Sequence, residues 1–258
     1  MEAAISVVIN TYNASAHLQR VLDTLKGFDE IVVCDMESTD NTLSIALQNG
    51  CRTVTFAKKN YNICEVARDF AIHSAASDWV LVVDADELIP TELHDYLYDF
   101  ISHPGDVQAL FIPRKNYTLR RHLPSSYPDY QLRFFNQRVT TWPPVIHSIP
   151  KVNGKVEYIP KQRKELAMVH LDDSTNATLR RLIAYTDNEL NRRQGEKVTL
   201  LGLIFKPMHR FLKFYLFKGG FRYGIPGYVQ AYRQAYYKFT VLCKLYEEEL
   251  KRKESNRS

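Results

Sequence analysis

A chain of 258 residues, 45% apolar and 24% charged, has enough apolar material to bury a full core, which excludes a disordered or fibrous protein and one dependent on disulfide or metal staples. Its formal charge of +5 conceals an asymmetry: residues 1–173 carry 17 Lys and Arg against 22 Asp and Glu, net −5, while residues 174–258 carry 17 against 7, net +10. Together these predict one large core with a basic C-terminal extension that meets an anionic partner, either a membrane surface or nucleic acid.

Met1 leads almost directly into an apolar run with no basic leader or small-residue cleavage site, so no signal peptide is expected. The run predicts a buried strand over 5–10, followed by a helix over 15–25 with Leu18, Val21, Leu22 and Leu25 on one face. A second strand is expected over 31–34. Ser38, Thr39, Asp40 and Asn41 then offer capping side chains to a helix carrying Leu43, Ile45, Ala46 and Leu47, stopped by Asn49 and Gly50. A strand over 53–56, a helix over 63–75 and a strand over 79–83 continue the alternation, which is the pattern of βαβ units and a largely parallel sheet.

Pro90 stands where a first-turn proline belongs, ahead of a helix through Leu93, Leu97 and Ile101 that His103, Pro104 and Gly105 end. A strand over 107–113 returns and closes the first domain, residues 1–113. Residues 114–173 change to short strands and turns rich in Tyr, Arg and Pro. Such text seldom builds its own core, so it is expected to lie across the strand ends. Residues 174–258 read as helical, with one face marked by Leu179, Leu182, Ile183, Thr186 and Leu190. An aromatic stripe of Tyr228, Tyr232, Phe239 and Tyr246, with Ala235 and Leu242, is expected in the core, and disorder is expected over 251–258. The longest apolar stretch, 200–217, is interrupted by Lys206, His209, Arg210 and Lys213 and is too short to span a bilayer. Cys34, Cys51, Cys64 and Cys243 form no C-x-x-C pair and are expected to be buried thiols in a reducing, cytosolic compartment.

The strongest chemical signal is Val82-Val83-Asp84-Ala85-Asp86-Glu87, an apolar strand running straight into three acids. Such charges are costly to bury together unless a cation compensates them. Alternation along a strand lets Asp84 and Asp86 point the same way at the carboxyl end, where open α/β sheets bind ligands. Mg²⁺ or Mn²⁺ suits these oxygen ligands, completed by substrate phosphates; the plainer alternative is a solvated acidic turn that caps the next helix. Asp35 and Glu37 follow the second strand, from which a carboxylate can accept hydrogen bonds from a nucleoside. Thr11, Tyr12 and Asn13 end the first strand beside them.

The run Ser6-Val7-Val8-Ile9-Asn10-Thr11-Tyr12-Asn13, then Ile31 through Asp35-Met36-Glu37-Ser38-Thr39-Asp40-Asn41-Thr42, then Ala67-Arg68-Asp69, then Trp79 through Asp84-Ala85-Asp86-Glu87 resembles the family 2 glycosyltransferases of GT-A fold. These motifs cover about the first 90 residues. A looser likeness to the lipopolysaccharide-core glucosyltransferase branch extends through Arg133-Phe134-Phe135 to Phe217-Lys218-Gly219-Gly220-Phe221. The resemblance implies an α/β, Rossmann-type nucleotide-sugar-binding sheet with a helical C-terminal extension. Residues 1–113 then bind the donor, 114–173 form an acceptor-side lobe and 174–258 the extension. It further implies an inverting single displacement that moves a sugar from a nucleotide-sugar donor to a saccharide or lipid-linked acceptor, as in lipopolysaccharide core synthesis. Carried over by position, Asp84 and Asp86, with Ala85 between them, hold the metal and sugar diphosphate. Thr11 and Asp35, beside Tyr12, Asn13 and Glu37, hold the uracil or other base with its ribose, and Arg68 lies near the diphosphate.

The pattern is broken twice. Asp69 stands where the family commonly has Asn, and Ser148 follows His147 where related core transferases show His-Glu. Serine cannot act as a carboxylate base, which leaves Asp129 and His147 as the candidates; His170 is read as structural. Lys206, Arg210 and Lys213 recur at helical spacing among Phe205, Leu212, Phe214, Tyr215 and Phe217, so the extension either rests peripherally on the inner face of the cytoplasmic membrane or packs on the catalytic domain. No recognition motif for nucleic acid accompanies the charge. A sugar nucleotidyltransferase and a non-catalytic scaffold of the same fold are the competing functions. The first lacks its expected Gly-rich loop, and the second is at odds with paired acids that an idle site does not need.

Overall fold

The computed structural model describes residues 4–59, 61, 64–124, 127–143, 149–172, 174–193 and 195–255. The chain divides into two compact units, one of Met1–Asn116 and Ser126–Leu171, the other of Tyr117–Ser125 and Asp172–Ser258.

In the first unit the elements β1 (Ile5–Thr11), α1 (Leu18–Asp23), β2 (Glu30–Asp35), α2 (Thr42–Gln48), β3 (Arg52–Thr55), α3 (Glu65–His73) and β4 (Trp79–Asp84) alternate as expected. Their strands run parallel in the order β3-β2-β1-β4. Strands buried on both faces must be apolar throughout. Ile5, Val7, Ile9, Leu81 and Val83 accordingly feed one hydrophobic cluster, and Val8, Val32, Cys34, Val80 and Val82 feed the other. Burial pushes the Cys34 thiol up to about 12. Cys51 is buried too, whereas Cys64 and Cys243 are half-buried, short of the expectation for all four.

Two helices depart from their predicted faces. In α1 only 18–23 are helical, and Leu25 reaches the core from beyond the helix end. In α2, Leu43 and Leu47 are exposed and Ala46 alone of the predicted apolar positions is fully buried, because the helix lies over the sheet near its edge. Asp40 does serve the cap, accepting from the Thr42 amide at 3.0 Å and the Ser15 amide at 3.2 Å.

The chain continues through β5 (Glu87–Leu88), α4 (Thr91–Ser102) and β6 (Val107–Thr118), with Pro90 just before α4 in extended backbone. After β7 (Arg121–His122) come β8 (Asp129–Asn136), β9 (Thr140–Thr141), β10 (Lys151–Val152), β11 (Lys155–Tyr158) and β12 (Met168–His170). The expectation that 114–173 only lies across the strand ends is corrected: β8 pairs antiparallel with both β4 and β6 inside the sheet. Phe134 stacks on Trp79 at 5.2 Å in one cluster while Phe135 enters the other, so this segment completes the core. Beyond β6 the sheet order runs to β12 and β5.

In the second unit the end of β6 pairs with β7, and α5 (Thr175–Arg192), α6 (Leu200–Leu212) and α7 (Gly224–Ser255) supply the helices. Leu190, Val198, Leu203 and Tyr237 pack around Val241, Leu242 and Leu245. The four aromatic residues of the predicted stripe face outward: Tyr228, Tyr232, Phe239 and Tyr246 are exposed, whereas Leu242 of the same stripe is buried as expected, with Gly227, Ala231, Val241 and Leu245 on the buried side of α7. The helix runs to Ser255, beyond the expected start of disorder at 251. A π-turn (Lys213–Phe217) and a 3₁₀ turn (Gly220–Tyr223) join α6 to α7, and a Cβ placed on Gly227 would lie 1.9 Å from the Gly220 carbonyl oxygen. Among the described residues no helix is long and apolar enough to cross a membrane.

Candidate active site

The parallel register brings the sequence-predicted acids together. Thr11 pairs with Asp35 across β1 and β2, and Asn10 pairs with Asp84 across β1 and β4, so all four stand at the carboxyl ends of neighbouring strands. Buried Asp35 is fixed by donors: the Thr11 hydroxyl at 2.8 Å, the Ser38 hydroxyl at 2.6 Å and the Ser38 amide at 2.8 Å. Asn13 and Glu37 adopt positive φ of 50° and 60°, a conformation that costs energy in a non-glycine residue and recurs where a loop is shaped for a ligand. Asn13 ties the two loops by donating its amide to the Ser38 hydroxyl and accepting from the Thr39 amide, each at 2.8 Å. Glu37 accepts from the Lys58 amide at 3.1 Å, and the Lys58 ammonium lies 4.4 Å from the centre of the half-exposed Tyr12 ring.

Asp84 sits between two cations. Arg68 on α3 donates to its Oδ1 at 2.6 Å, and Arg133 on β8 donates to its Oδ2. Burial alone would raise the Asp84 carboxyl, but Arg133 and Arg68 outweigh it and hold the group well below the usual carboxylate range. The Trp142 ring backs both guanidiniums, at 5.0 Å from Arg68 and 5.9 Å from Arg133, and the Trp142 amide donates to Asp69 at 2.9 Å. Asp69, one of the two departures from the family pattern, therefore positions this indole.

On the other side of Asp84, wholly buried Glu87 accepts the Asp84 amide at 3.0 Å and pairs with Arg114 of β6 at 2.6 Å. Arg114 also grips Asp129, through Nε at 3.0 Å and Nη2 at 2.7 Å, while Asn116 donates to the same oxygen at 2.9 Å and Gln131 to the other at 3.0 Å. Burial raises the Asp129 carboxyl less than Arg114 and these amides lower it, so it stays ionised at neutral pH. Asp86 and Ala85 form the turn between β4 and β5. The His170 Nε2 lies 3.3 Å from Asp86 Oδ2, its Nδ1 is 2.9 Å from the Asn116 side-chain oxygen, and the Leu171 amide donates to the Asp86 carbonyl at 2.8 Å. The other candidate base, His147, lies with Ser148 outside the described residues.

Several members of this cluster carry no signal in the local sequence. Arg133 and Arg114 interrupt apolar strands, which marks them as paired but not with what, and His170 reaches Asp86 only because β12 lies between β5 and β6. The Asn10 side-chain amide is buried at the end of β1 with no hydrogen-bond partner among the described residues, a cost that a ligand could remove. No group of three or more His, Cys, Asp or Glu side chains that could hold a metal ion is present among the described residues. The group that offers itself is the Asp86 carboxylate, with the His170 imidazole against it, an oxygen ligand suited to Mn²⁺ or Mg²⁺ when phosphate oxygens and water complete the sphere.

The chain is 28% identical over 96% of its length to an uncharacterized glycosyltransferase of Rickettsia conorii, covering 92% of that protein. It is 21% identical over 94% of its length to the lipopolysaccharide core biosynthesis glycosyltransferase LpsC of Rhizobium meliloti, again covering 92%. A mannosyltransferase from Pyrobaculum calidifontis, solved with GDP-Man and Mn²⁺, superposes with a TM-score of 0.55 at 14% identity over 95% of this chain and 87% of its own, which shows the shared GT-A fold. The sequence profile of Glycosyl transferase family 2 matches residues 6–181, spanning every strand of the cluster above, and the chain belongs to that family of glycosyltransferases.

Proposed function

We propose that the enzyme transfers a sugar from a UDP-linked donor to a hydroxyl of a saccharide or lipid-linked saccharide, with inversion, in lipopolysaccharide core or other cell-surface glycan synthesis. The observation that carries this reading is the register at the end of β1, which sets the Thr11–Asp35 pair beside the Asp84–Arg68–Arg133 cluster. In this reading Asp35, with Thr11, Tyr12, Asn13 and Glu37, receives the nucleoside, and Arg68 and Arg133 face the diphosphate with Asp84 holding them in place. The full-length likeness to LpsC supports the cell-surface setting.

Asp86, with Asp84 at the end of β4 before it and His170 against it, is the proposed holder of a divalent cation. Bound there, the ion supplies positive charge against the diphosphate as it departs. Asp129 is the proposed base: Arg114 and Asn116 fix one oxygen, and the other accepts from Gln131. It takes the acceptor proton as the acceptor oxygen bonds to the anomeric carbon, the anomeric bond to the diphosphate breaks, and the nucleoside diphosphate leaves. His147 is the alternative base. The basic extension is proposed to keep the enzyme in the cytoplasm at the inner face of the membrane, near a lipid-linked acceptor.

Calorimetric titration with UDP, GDP and CDP, each with and without Mn²⁺, tests the reading. Metal-dependent binding of UDP is expected. Binding of GDP instead would replace the base assignment, and binding of none would remove the donor site.

A further inference from the structure

Helix α6 is built the wrong way round for a helix that only packs on its own domain. It carries eight large apolar side chains across Leu200–Leu212, and none is buried. At 100° per residue Leu200, Leu201, Ile204, Phe205, Met208 and Leu212 fall within an arc of about 140°, and each is exposed. The opposite side turns inward, where Leu203 joins the core of the unit and Arg210 donates to Gln234 of α7 at 3.1 Å. The π-turn that follows leaves Phe217 84% exposed, the start of α7 leaves Ile225 75% exposed, and both exceed what scattered surface apolar residues explain.

Cations adjoin this arc. Phe205, Lys206, His209, Arg210 and Lys238 line an open groove of ≈ 500 Å³. Lys206 pairs with Glu196 at 2.9 Å, and burial first, then repulsion from Arg193 and Lys206, lowers the Lys238 ammonium below its ordinary value. Lys213 opens the π-turn and Lys218 follows it. An apolar arc bordered by cations has the chemistry of a surface that lies in a bilayer interface, apolar side chains among acyl chains and cations on anionic headgroups. A second copy of the chain suits it poorly, since a two-fold contact would set the same cations against one another.

Deepening the membrane contact proposed above, on which this rests, we infer that the exposed arc of α6 with Phe217 docks on an anionic lipid bilayer, and that the Lys206–His209–Arg210–Lys238 groove receives a headgroup phosphate. The test is flotation of the full chain with phosphatidylcholine vesicles, with and without phosphatidylglycerol. Wild type should float with the phosphatidylglycerol vesicles. Leu201→Ser with Phe217→Ser should weaken that partitioning by roughly tenfold or more, the scale of withdrawing one or two large apolar side chains. Lys206→Gln with Lys238→Gln should weaken it by a similar factor at about one decade for two cations, and Lys206→Arg with Lys238→Arg should restore it. No flotation of wild type would remove the membrane reading itself. Flotation unchanged in the apolar variants would overturn this surface while leaving that reading in place, and equal flotation of wild type and the Gln variants would overturn the headgroup groove. Lipid-free dimerisation abolished by Leu201→Ser would assign the arc to a second copy and overturn the inference.

Discussion

Asp84 Oδ1 accepts a hydrogen bond from Arg68 Nη2 at 2.6 Å, and Arg133 occupies its other oxygen. The two guanidiniums are nearly buried, with 7% and 6% of their side chains exposed, and both draw charge compensation from this carboxylate, with Glu87 at 3.8 Å a second acid for Arg133. Removing one partner of a buried ion pair leaves an uncompensated charge. Asp84→Ala is therefore expected to lower stability by about 3 kcal/mol, read from urea denaturation; a loss within a few tenths of that of an exposed pair would show that water already screens the cluster.

Acid should act through the same groups. Asp84 and Asp129 both have folded-state pKa values below those of the unfolded chain. The stability they contribute is fully present above the unfolded carboxylate value, about 4, and is lost as the pH falls from there through the folded values. The urea midpoint is expected to drop below about pH 4, with a shallower drop in Asp84→Asn. An equal slope in that variant would move the acid sensitivity elsewhere.

Asp86→Ala should abolish Mn²⁺-dependent binding of the donor nucleotide and leave the far-ultraviolet circular dichroism unchanged. His170→Ala should weaken the metal dependence by roughly 10- to 100-fold, the range seen when a group supporting a metal ligand is lost. Unaltered titrations in Asp86→Ala would remove the metal assignment from this turn.

For Asp129→Asn, turnover should fall by roughly 10²- to 10⁴-fold, the usual worth of a general base, with donor affinity retained. Loss of both together would instead identify Asp129 as a support for Arg114, because Arg114 also holds Glu87.

Gly227→Ala sets two effects against each other. Alanine favours a helix by about 1 kcal/mol over glycine, but its Cβ would meet the Gly220 carbonyl oxygen at 1.9 Å, a contact that requires backbone movement. The clash should win, with net destabilisation of about 2 kcal/mol and faster hydrogen exchange around residues 214–231; a more stable variant would mean that the bend yields easily.

Much of this was legible in the chain. Strands β1, β2 and β4 announce themselves because both faces are buried, and the acids that follow β2 and β4 come where each apolar run stops. Strand β8 is harder to place, since Arg133 and Gln131 break its apolar pattern and its antiparallel insertion between β4 and β6 is a long-range choice. The grip of Arg114 on Asp129 and the approach of His170 to Asp86 depend on that insertion and on β12, so local text names the residues without joining them. The stripe on α7 shows a further gap: periodicity gives a helix a face but does not say whether its aromatic line or the adjacent line through Ala231, Val241 and Leu245 turns inward.

The pairing of β1 with both β2 and β4 also works as a ruler. Neighbouring strands lie about 4.8 Å apart, so Asp35 and Asp84, one strand to either side of β1 and offset by one residue, have backbones separated by about 10 Å. That length is set by sheet hydrogen bonds and does not depend on flexible loops. A ligand must match it to touch both ends at once; in the proposed function a nucleoside diphosphate spans the two together, whereas a nucleoside alone or free diphosphate reaches one.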